Sequence, residues 1–123
     1  MNKILLDSDV IINILKKREE TVKKLLSFEN YELFISPIVV AEIYAGARAK
    51  EIKQIEELFS YFVCLDINKE IGKIAGEYAN QFRKAFNKIS LEDYIIAGTA
   101  KYYNLKLWTY NKKHYPMKDI ILI

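Results

Sequence analysis

The sequence predicts an α/β fold: a single domain in which helices flank both faces of a mainly parallel, five-stranded sheet. Three observations predict this fold. Short apolar runs alternate with segments of helical periodicity, an order typical of parallel sheets. No linker, repeat or low-complexity tract divides the 123 residues, so one domain over residues 1–123 is expected. With 51% apolar and 28% charged residues, the chain has the balance of a folded protein with a buried core.

Five short apolar runs are predicted to be the strands of this sheet. Each is bounded by polar or turn-forming residues, as strands usually are. Cys64 lies within the third run and is expected to pack in the core. Ligands of open parallel sheets bind beyond the carboxyl ends of the strands, so the residues that follow each run are candidates for function. The five runs are Lys3–Leu6, Leu33–Ile35, Phe62–Leu65, Leu105–Thr109 and Ile120–Ile123.

Capping residues and apolar spacing mark the helices between these strands. Asp9 is a candidate N-cap for a helix over Val10–Leu15. Ser36 before Pro37 is a typical helix start, because serine caps the helix and proline suits its first turn. The clearest helix covers Ile67–Phe82, where apolar residues fall on one face over four turns. Further helices are expected around Val22–Leu26, over Ile52–Phe62 and from Ser90 to Tyr103.

The composition excludes several classes of protein. Cys64 and His114 are the sole cysteine and histidine. Intramolecular disulfides and zinc sites built from several Cys or His ligands are therefore excluded. The longest apolar runs are far shorter than the ~20 residues of a membrane helix. The N-terminus also lacks the pattern of a signal peptide, so a cytoplasmic protein without a membrane segment is expected.

Four polar side chains stand in otherwise apolar surroundings near the predicted strand ends: Asp7, Glu42, Asp93 and Asn111. Structural explanations exist for the three acids. Asp7 can form a turn, and Asp93 can form a capping box with Ser90. Glu42 lies mid-helix among apolar neighbours, where burial of an unpaired carboxylate costs several kcal/mol, so it is expected to have an ion-pair partner or a functional role.

If Asp7, Glu42 and Asp93 converge at one edge of the sheet, they need a compensating charge. Two carboxylates about 5 Å apart repel by about 3 kcal/mol at an effective dielectric near 20. Three such pairs would cost on the order of 10 kcal/mol, which few domains can absorb. The group therefore holds protons or a cation, and oxygen ligands favour Mg²⁺ or Mn²⁺. Such an ion coordinates phosphate oxygens and activates water, which indicates phosphodiester hydrolysis.

Lysine and arginine outnumber the acids by 19 to 16, a net charge of +3. If several acids converge on one site, the remaining surface is clearly basic, which suits a polyanion such as RNA. Solubility alone is an equally good explanation of a lysine-rich surface. The candidate phosphate contacts are Arg83, Lys84, Lys88, Lys112 and Lys113.

Four segments together resemble the motifs of PIN-domain ribonucleases. In the first, an aspartate and a small hydroxyl residue precede an apolar run; in the second, a glutamate precedes a nearby glycine. The single-domain length further resembles the VapC toxins of type II toxin–antitoxin pairs. The segments occur in the family's order and span nearly the whole chain: Leu5–Ile12, Ser36–Gly46, Asp93–Ala100 and Thr109–Tyr115.

The resemblance implies an endoribonuclease that uses Mg²⁺ or Mn²⁺, with Asp7 and Asp93 as metal ligands. Glu42 would orient the metal or its water, and Asn111 matches a fourth position that is Asp or Asn across the family. It further implies an RNA substrate, a cognate antitoxin and a homodimer. Ser8 and Thr109 would orient the acids. Asp9 is open between cap and supporting residue, and an exposed, idle His114 is expected.

Two alternatives use the same residues differently. A phosphoacceptor receiver domain has a similar length and fold, with Asp7 and Asp9 as its acidic pair and Asp66 as the phosphorylated residue. That interpretation leaves Glu42 and Asp93 unexplained. The second alternative is a catalytically silent PIN-like binding module. Chelator-sensitive RNA cleavage is predicted by the enzyme hypothesis alone.

Overall fold

The computed structural model describes residues 2–123 and places the first strand in the interior of a parallel sheet. Ile4, Leu5 and Leu6 of this strand are completely buried. Because consecutive strand residues point to opposite faces, both faces of the sheet are covered at this strand. The predicted α/β class with a parallel sheet is confirmed. The strands are β1 (Lys3–Leu6), β2 (Glu32–Ile35), β3 (Val63–Cys64) and β4 (Lys106–Trp108), in the order β3-β2-β1-β4 with every pairing parallel.

Six α-helices lie within residues 2–123, and the predicted helix starts at Pro37 and after Ser90 are confirmed. The Ser36 side chain accepts a hydrogen bond from the Ile38 N–H at 3.1 Å. The helices are α1 (Ser8–Leu15), α2 (Glu19–Ser27), α3 (Pro37–Ala45), α4 (Ile52–Phe59), α5 (Lys69–Phe82) and α6 (Leu91–Tyr103), with 3-10 turns at Ala49–Glu51 and Lys112–His114. None of the helices in this part of the chain has the length and apolar character needed to cross a bilayer.

The sheet has four strands where five were expected. The Ile120–Ile123 segment makes a single bridge, in which Leu122 lies opposite Leu107. Both backbone hydrogen bonds of this bridge go to Leu107, which donates to Ile121 and accepts from Ile123. The pairing with β4 is therefore limited to Leu107, and the segment does not form a fifth strand.

The third predicted strand is shorter and more exposed than expected. Phe62 is buried, but β3 contains only Val63 and Cys64, and both are exposed. The expectation that Cys64 packs in the core is therefore wrong. The physical reason is its place in the sheet, since β3 is an edge strand that pairs with β2 alone.

The helix pair α5 and α6 packs closely around Gly98. A Cβ atom at this position would lie 3.0 Å from the carbonyl oxygen of Ile71 and 3.3 Å from the backbone nitrogen of Ala75. A larger residue would force the helices apart, so glycine permits this approach. The Tyr103 hydroxyl donates to the carbonyl oxygen of Asp66 at 3.0 Å, which places the end of α6 beside the beginning of α5. Asp93, at the start of α6, is thus at the opposite end of this pair.

Candidate active site

Asp7 lies where β1 ends and is 5% exposed. Leu6 pairs with Trp108, so the next residues of β1 and β4 are neighbours at the same edge. Accordingly, the Thr109 hydroxyl donates to Asp7 Oδ2 at 2.9 Å. The Tyr115 hydroxyl donates to the same oxygen at 2.9 Å, and the Ser8 N–H donates to Asp7 Oδ1 at 2.8 Å. Three donors therefore fix the orientation of this carboxylate.

Asp93 combines the two roles that the sequence left open. It forms the capping box of α6, in which its N–H donates to Ser90 Oγ at 3.2 Å and its Oδ2 accepts from the Ser90 N–H at 3.3 Å. The same Oδ2 lies 3.0 Å from His114 Nδ1. Asp93 Oδ1 lies 3.4 Å from the Tyr115 hydroxyl. Because one hydroxyl reaches both Asp7 and Asp93, the two carboxylates converge.

Glu42 is exposed, so its carboxylate does not carry the full cost of burial that an ion-pair partner would have to offset. No ion pair within residues 2–123 involves Glu42, which removes the ion-pair explanation. Partial desolvation raises the pKa of the Glu42 carboxyl, and the charges of Asp7 and Asp93 raise it further, while the Ser8 hydroxyl favours its ionised form. The carboxylate of Glu42 is therefore near enough to Asp7 and Asp93 for their charges to act on it.

Asn111 reaches the acids indirectly, through His114. Its side-chain amide lies 2.8 Å from His114 Nδ1, and its N–H donates to Thr109 Oγ1 at 3.0 Å. The His114 side chain is 24% exposed and contacts Asp93, so the expectation of an exposed, idle histidine is wrong. An Nδ1–H that donates to Asp93 requires Asn111 to turn its amide oxygen towards the ring.

Asp9 is not the helix cap, because Asp7 fills that position. Asp9 lies in the first turn of α1, and its Oδ2 accepts from the Tyr110 N–H at 3.0 Å, which ties α1 to the segment after β4. Its Oδ1 is buried and has no hydrogen-bond partner within residues 2–123. Burial raises the pKa of the Asp9 carboxyl to about 6, the charge of Asp7 adds to this, and the backbone N–H of Tyr110 offsets part of it.

Asp9→Asn is expected to raise the melting temperature at pH 8. Since the pKa of Asp9 is higher in the folded chain than its ordinary 3.8, its ionisation opposes folding. This cost is absent below about pH 4, grows between pH 4 and about 6, and is fully present above that. After discounting for partial exposure, the gain is about 1 kcal/mol, or about 3–5 °C. Thermal melts at pH 8 and pH 4 measure it, and a lower melting temperature at pH 8 would contradict it.

No role for Tyr115 was predicted from the sequence, although it lies in the fourth motif. Its side chain is 3% exposed and lies against Asp7 and Asp93. Burial and the two neighbouring carboxylates raise the pKa of its hydroxyl, which therefore keeps its proton. An aromatic residue after His114 does not by itself predict a contact with Asp7 or Asp93. The contact depends on the direction that the chain takes after the 3-10 turn at Lys112–His114.

The chemistry of these donors suits a hard divalent cation. Asp7 Oδ1 accepts one strong hydrogen bond and Asp93 Oδ1 one long one, so each oxygen keeps capacity for a further partner. No group of three or more His, Cys, Asp or Glu within residues 2–123 is arranged to hold a metal ion. Mg²⁺ does not require such a cage, because it keeps several waters and binds through one or two carboxylates. Asp7 and Asp93 offer the two carboxylates that such a site would use.

Basic side chains lie near Trp108 and His114, on the segment that supplies the hydrogen-bond partners of the acids. Lys24 Nζ lies 5.2 Å from the centre of the Trp108 ring. Partial burial lowers the pKa of Lys24, and the nearby positive charge of Lys112 lowers it further. Lys88 and Lys113 line one cleft together with His114. Three of the predicted phosphate contacts, Lys88, Lys112 and Lys113, thus lie in this region. Lys24 is a further basic residue there.

An apolar groove runs between α1, α3 and α4 and reaches Glu42. Its lining includes Ile12, Leu15, Ile43 and Ile55, with Glu42 among the polar lining residues. The apolar residues Ile11, Ile14, Val22, Leu25 and Leu26 of α1 and α2 also suit a partner groove by their spacing in the sequence. Ile11 is completely buried and is not available for one, whereas Ile14, Val22 and Leu25 are half-buried and Leu26 is 68% exposed.

Comparisons with known proteins identify close relatives. Ribonuclease VapC10 of Mycobacterium tuberculosis is 35% identical over 115 residues, which cover 93% of this chain and 86% of that protein. Ribonuclease VapC2 of Methanocaldococcus jannaschii is 32% identical over 125 residues, covering 85% of this chain and 80% of that protein.

Solved structures show the same fold. VapBC2 of Rickettsia felis, bound to a promoter DNA fragment, matches with a TM-score of 0.86 and 23% identity, covering 98% of this chain and 97% of that chain. VapBC-1 of nontypeable Haemophilus influenzae matches with a TM-score of 0.82 and 27% identity, covering 98% and 96%. The PIN-domain family model matches residues 4–119, which overturns the receiver-domain alternative. The four motifs, the parallel sheet and these matches agree: this chain belongs to the PIN-domain family.

Proposed function

We propose that this protein is an endoribonuclease that requires Mg²⁺ or Mn²⁺ and acts as the toxin of a VapBC-type toxin–antitoxin pair. The observation that carries the proposal is the convergence of Asp7 and Asp93 on the Tyr115 hydroxyl, with Glu42 near enough for their charges to raise its pKa. Relatives named ribonuclease VapC, at 32–35% identity over most of the chain, support the ribonuclease activity.

Each acid has a distinct part in the proposed reaction. Asp7 and Asp93 would hold the divalent ion through their carboxylates. When bound, that ion neutralises charge on the scissile phosphate and lowers the pKa of a coordinated water. Glu42, exposed and with a raised pKa, orients the attacking water and can accept its proton. Asn111 and His114 keep Asp93 in place through the contacts at 2.8 and 3.0 Å.

Removal of divalent cations tests this function directly. The purified chain, incubated with single-stranded RNA and Mn²⁺, is expected to cut internal phosphodiester bonds. Excess EDTA should stop the cleavage, and added Mn²⁺ should restore it, because the proposed chemistry needs the ion. Gel analysis of end-labelled RNA measures both steps. Full cleavage in EDTA by a nuclease-free preparation contradicts the metal requirement, and no cleavage with Mn²⁺ favours a silent binding module.

The proposed antitoxin occupies the apolar groove between α1, α3 and α4. An amphipathic segment would cover Ile12, which is 42% exposed, and a basic residue on that segment would pair with Glu42 at the edge of the active site. Such a partner would cover the apolar groove and neutralise the negative charge of Glu42. Coexpression with the product of the adjacent open reading frame checks this, since it should suppress cleavage in the native chain and less so in Ile12→Glu. Equal suppression would contradict the groove.

We also propose that the protein acts as a homodimer, as the family resemblance implies. Several apolar side chains are exposed on the single chain, among them Leu26 at 68% and Tyr61 at 78%. Burial of such residues favours association. Sedimentation at micromolar concentration should give the mass of two chains, and a monomer throughout would contradict the dimer.

A further inference from the structure

The Tyr115 hydroxyl occupies a special position in the cleft. Among the side chains of residues 2–123, it is the one with hydrogen-bond contacts to both Asp7 and Asp93. Thr109 reaches Asp7 alone, and His114 reaches Asp93 alone. The two carboxylates come from distant parts of the sequence, so their spacing depends on what lies between them. The group that lies between them is this hydroxyl.

The contacts at Asp93 show how the backbone achieves this. His114 and Tyr115 are consecutive residues, and they approach the two oxygens of the same carboxylate, Oδ2 at 3.0 Å and Oδ1 at 3.4 Å. His114 is the last residue of the 3-10 turn at Lys112–His114 and Tyr115 follows it directly. His114 and Tyr115 therefore both contact the Asp93 carboxylate, and the Tyr115 hydroxyl also contacts Asp7.

We propose that Tyr115 is a positioning residue that holds Asp7 and Asp93 at the spacing a divalent cation needs. The proposal rests on the metal-dependent function stated above and adds a residue to it. The single proton of this hydroxyl is donated to Asp7 Oδ2 at 2.9 Å and shared with Asp93 Oδ1 at 3.4 Å, so the positive end of the O–H dipole lies between the two carboxylates. The Oδ1 atom of Asp7 stays available for the ion.

Two effects of removing the hydroxyl oppose each other. Loss of a donor makes the carboxylates more basic, which by itself strengthens cation binding. Loss of the bridge also lets the two acids move apart, which weakens it. The second effect dominates in known sites, because removal of groups that orient metal ligands typically lowers metal affinity or activity 10–100-fold. Weaker binding is therefore the expected sign.

Tyr115→Phe tests the proposal, with Tyr78→Phe as a matched control. Tyr78 is also buried, and its hydroxyl also donates to an aspartate at 2.9 Å, but that aspartate is Asp119, outside the cleft. Calorimetric titration with Mn²⁺, without RNA, should show about tenfold weaker binding in Tyr115→Phe and no change in Tyr78→Phe. In cleavage assays, the Mn²⁺ concentration for half-activity should rise by the same factor, while kcat at saturating Mn²⁺ stays within about twofold. Unchanged or tighter Mn²⁺ binding in Tyr115→Phe overturns the proposal.

A second measurement does not depend on metal or RNA. In EDTA, Tyr115→Phe should lower the melting temperature more in the native chain than in an Asp93→Asn background, by about 3 °C, because the bridge separates two charges only when Asp93 is ionised. If Tyr115→Phe fails to fold in the native chain but folds together with Asp93→Asn, that result also supports the bridge. Equal decreases in melting temperature in both backgrounds overturn the proposed bridge and leave the metal-dependent function intact. Absence of Mn²⁺ binding by the native chain overturns the metal-dependent function.

Discussion

Asp7→Asn is expected to lower the rate of RNA cleavage about a thousandfold while the chain remains folded. Asp7 supplies a charged oxygen to the proposed metal site, and an amide is a much poorer ligand for a hard cation. A thousandfold loss corresponds to about 4 kcal/mol, which is the scale of stabilisation that a bound divalent ion provides in a transition state. Asparagine is as good a helix N-cap as aspartate, so α1 should keep its start.

The matched control for this variant is Asp66→Asn. Asp66 is exposed, and its backbone carbonyl, which accepts from Tyr103, is unaffected by the substitution. Cleavage by Asp66→Asn should stay within about twofold of the native rate. Initial rates at saturating Mn²⁺, with circular dichroism as a check of folding, measure both variants. A folded Asp7→Asn protein that retains most of its activity would remove Asp7 from the proposed site.

RNA affinity is expected to fall steeply with salt. Lys24, Lys88, Lys112 and Lys113 lie near Trp108 and His114, and each phosphate contacted in single-stranded RNA contributes about −0.7 to the slope of log K against log salt. Four contacts predict about a fiftyfold loss between 50 and 200 mM salt. Fluorescence anisotropy with labelled RNA, in EDTA to prevent cleavage, measures the slope.

Charge reversal at Lys112 and Lys113 together is expected to weaken binding at least tenfold for every RNA sequence and to reduce the slope by about 1.4. Lys69→Glu with Lys73→Glu is the control, since it changes the net charge equally. These two lysines lie at the start of α5, which is beside the end of α6, whereas Asp93 is at the other end of α6. Similar losses in the two double variants would show that total charge, and not this surface, determines affinity.

Local sequence patterns were enough to predict the strands β1, β2 and β4 and the helix starts at Pro37 and after Ser90. Buried strands of a parallel sheet are apolar on both faces, and helix starts need a side-chain acceptor, so both leave a trace within a few residues. The order of the motifs placed Asp7 and Thr109 at one edge, because parallel strands end on the same side of a sheet. The PIN-domain family follows from these residues, and the matches over residues 4–119 confirm it.

The tertiary structure alone decided which groups touch. An edge strand has one neighbouring strand, and Cys64 in the edge strand β3 is exposed. At the other edge, the Ile120–Ile123 segment pairs with β4 through Leu122. The choice between Asp7 and Asp9 as helix cap depends on how β1 leaves the sheet. Tyr115 reaches Asp7 across 108 positions of sequence, and no local pattern encodes a contact of that range. The sequence by itself therefore determined the family and the acidic residues, while the arrangement of their hydrogen-bond partners came from the packing of the segment after β4 against α1 and α6.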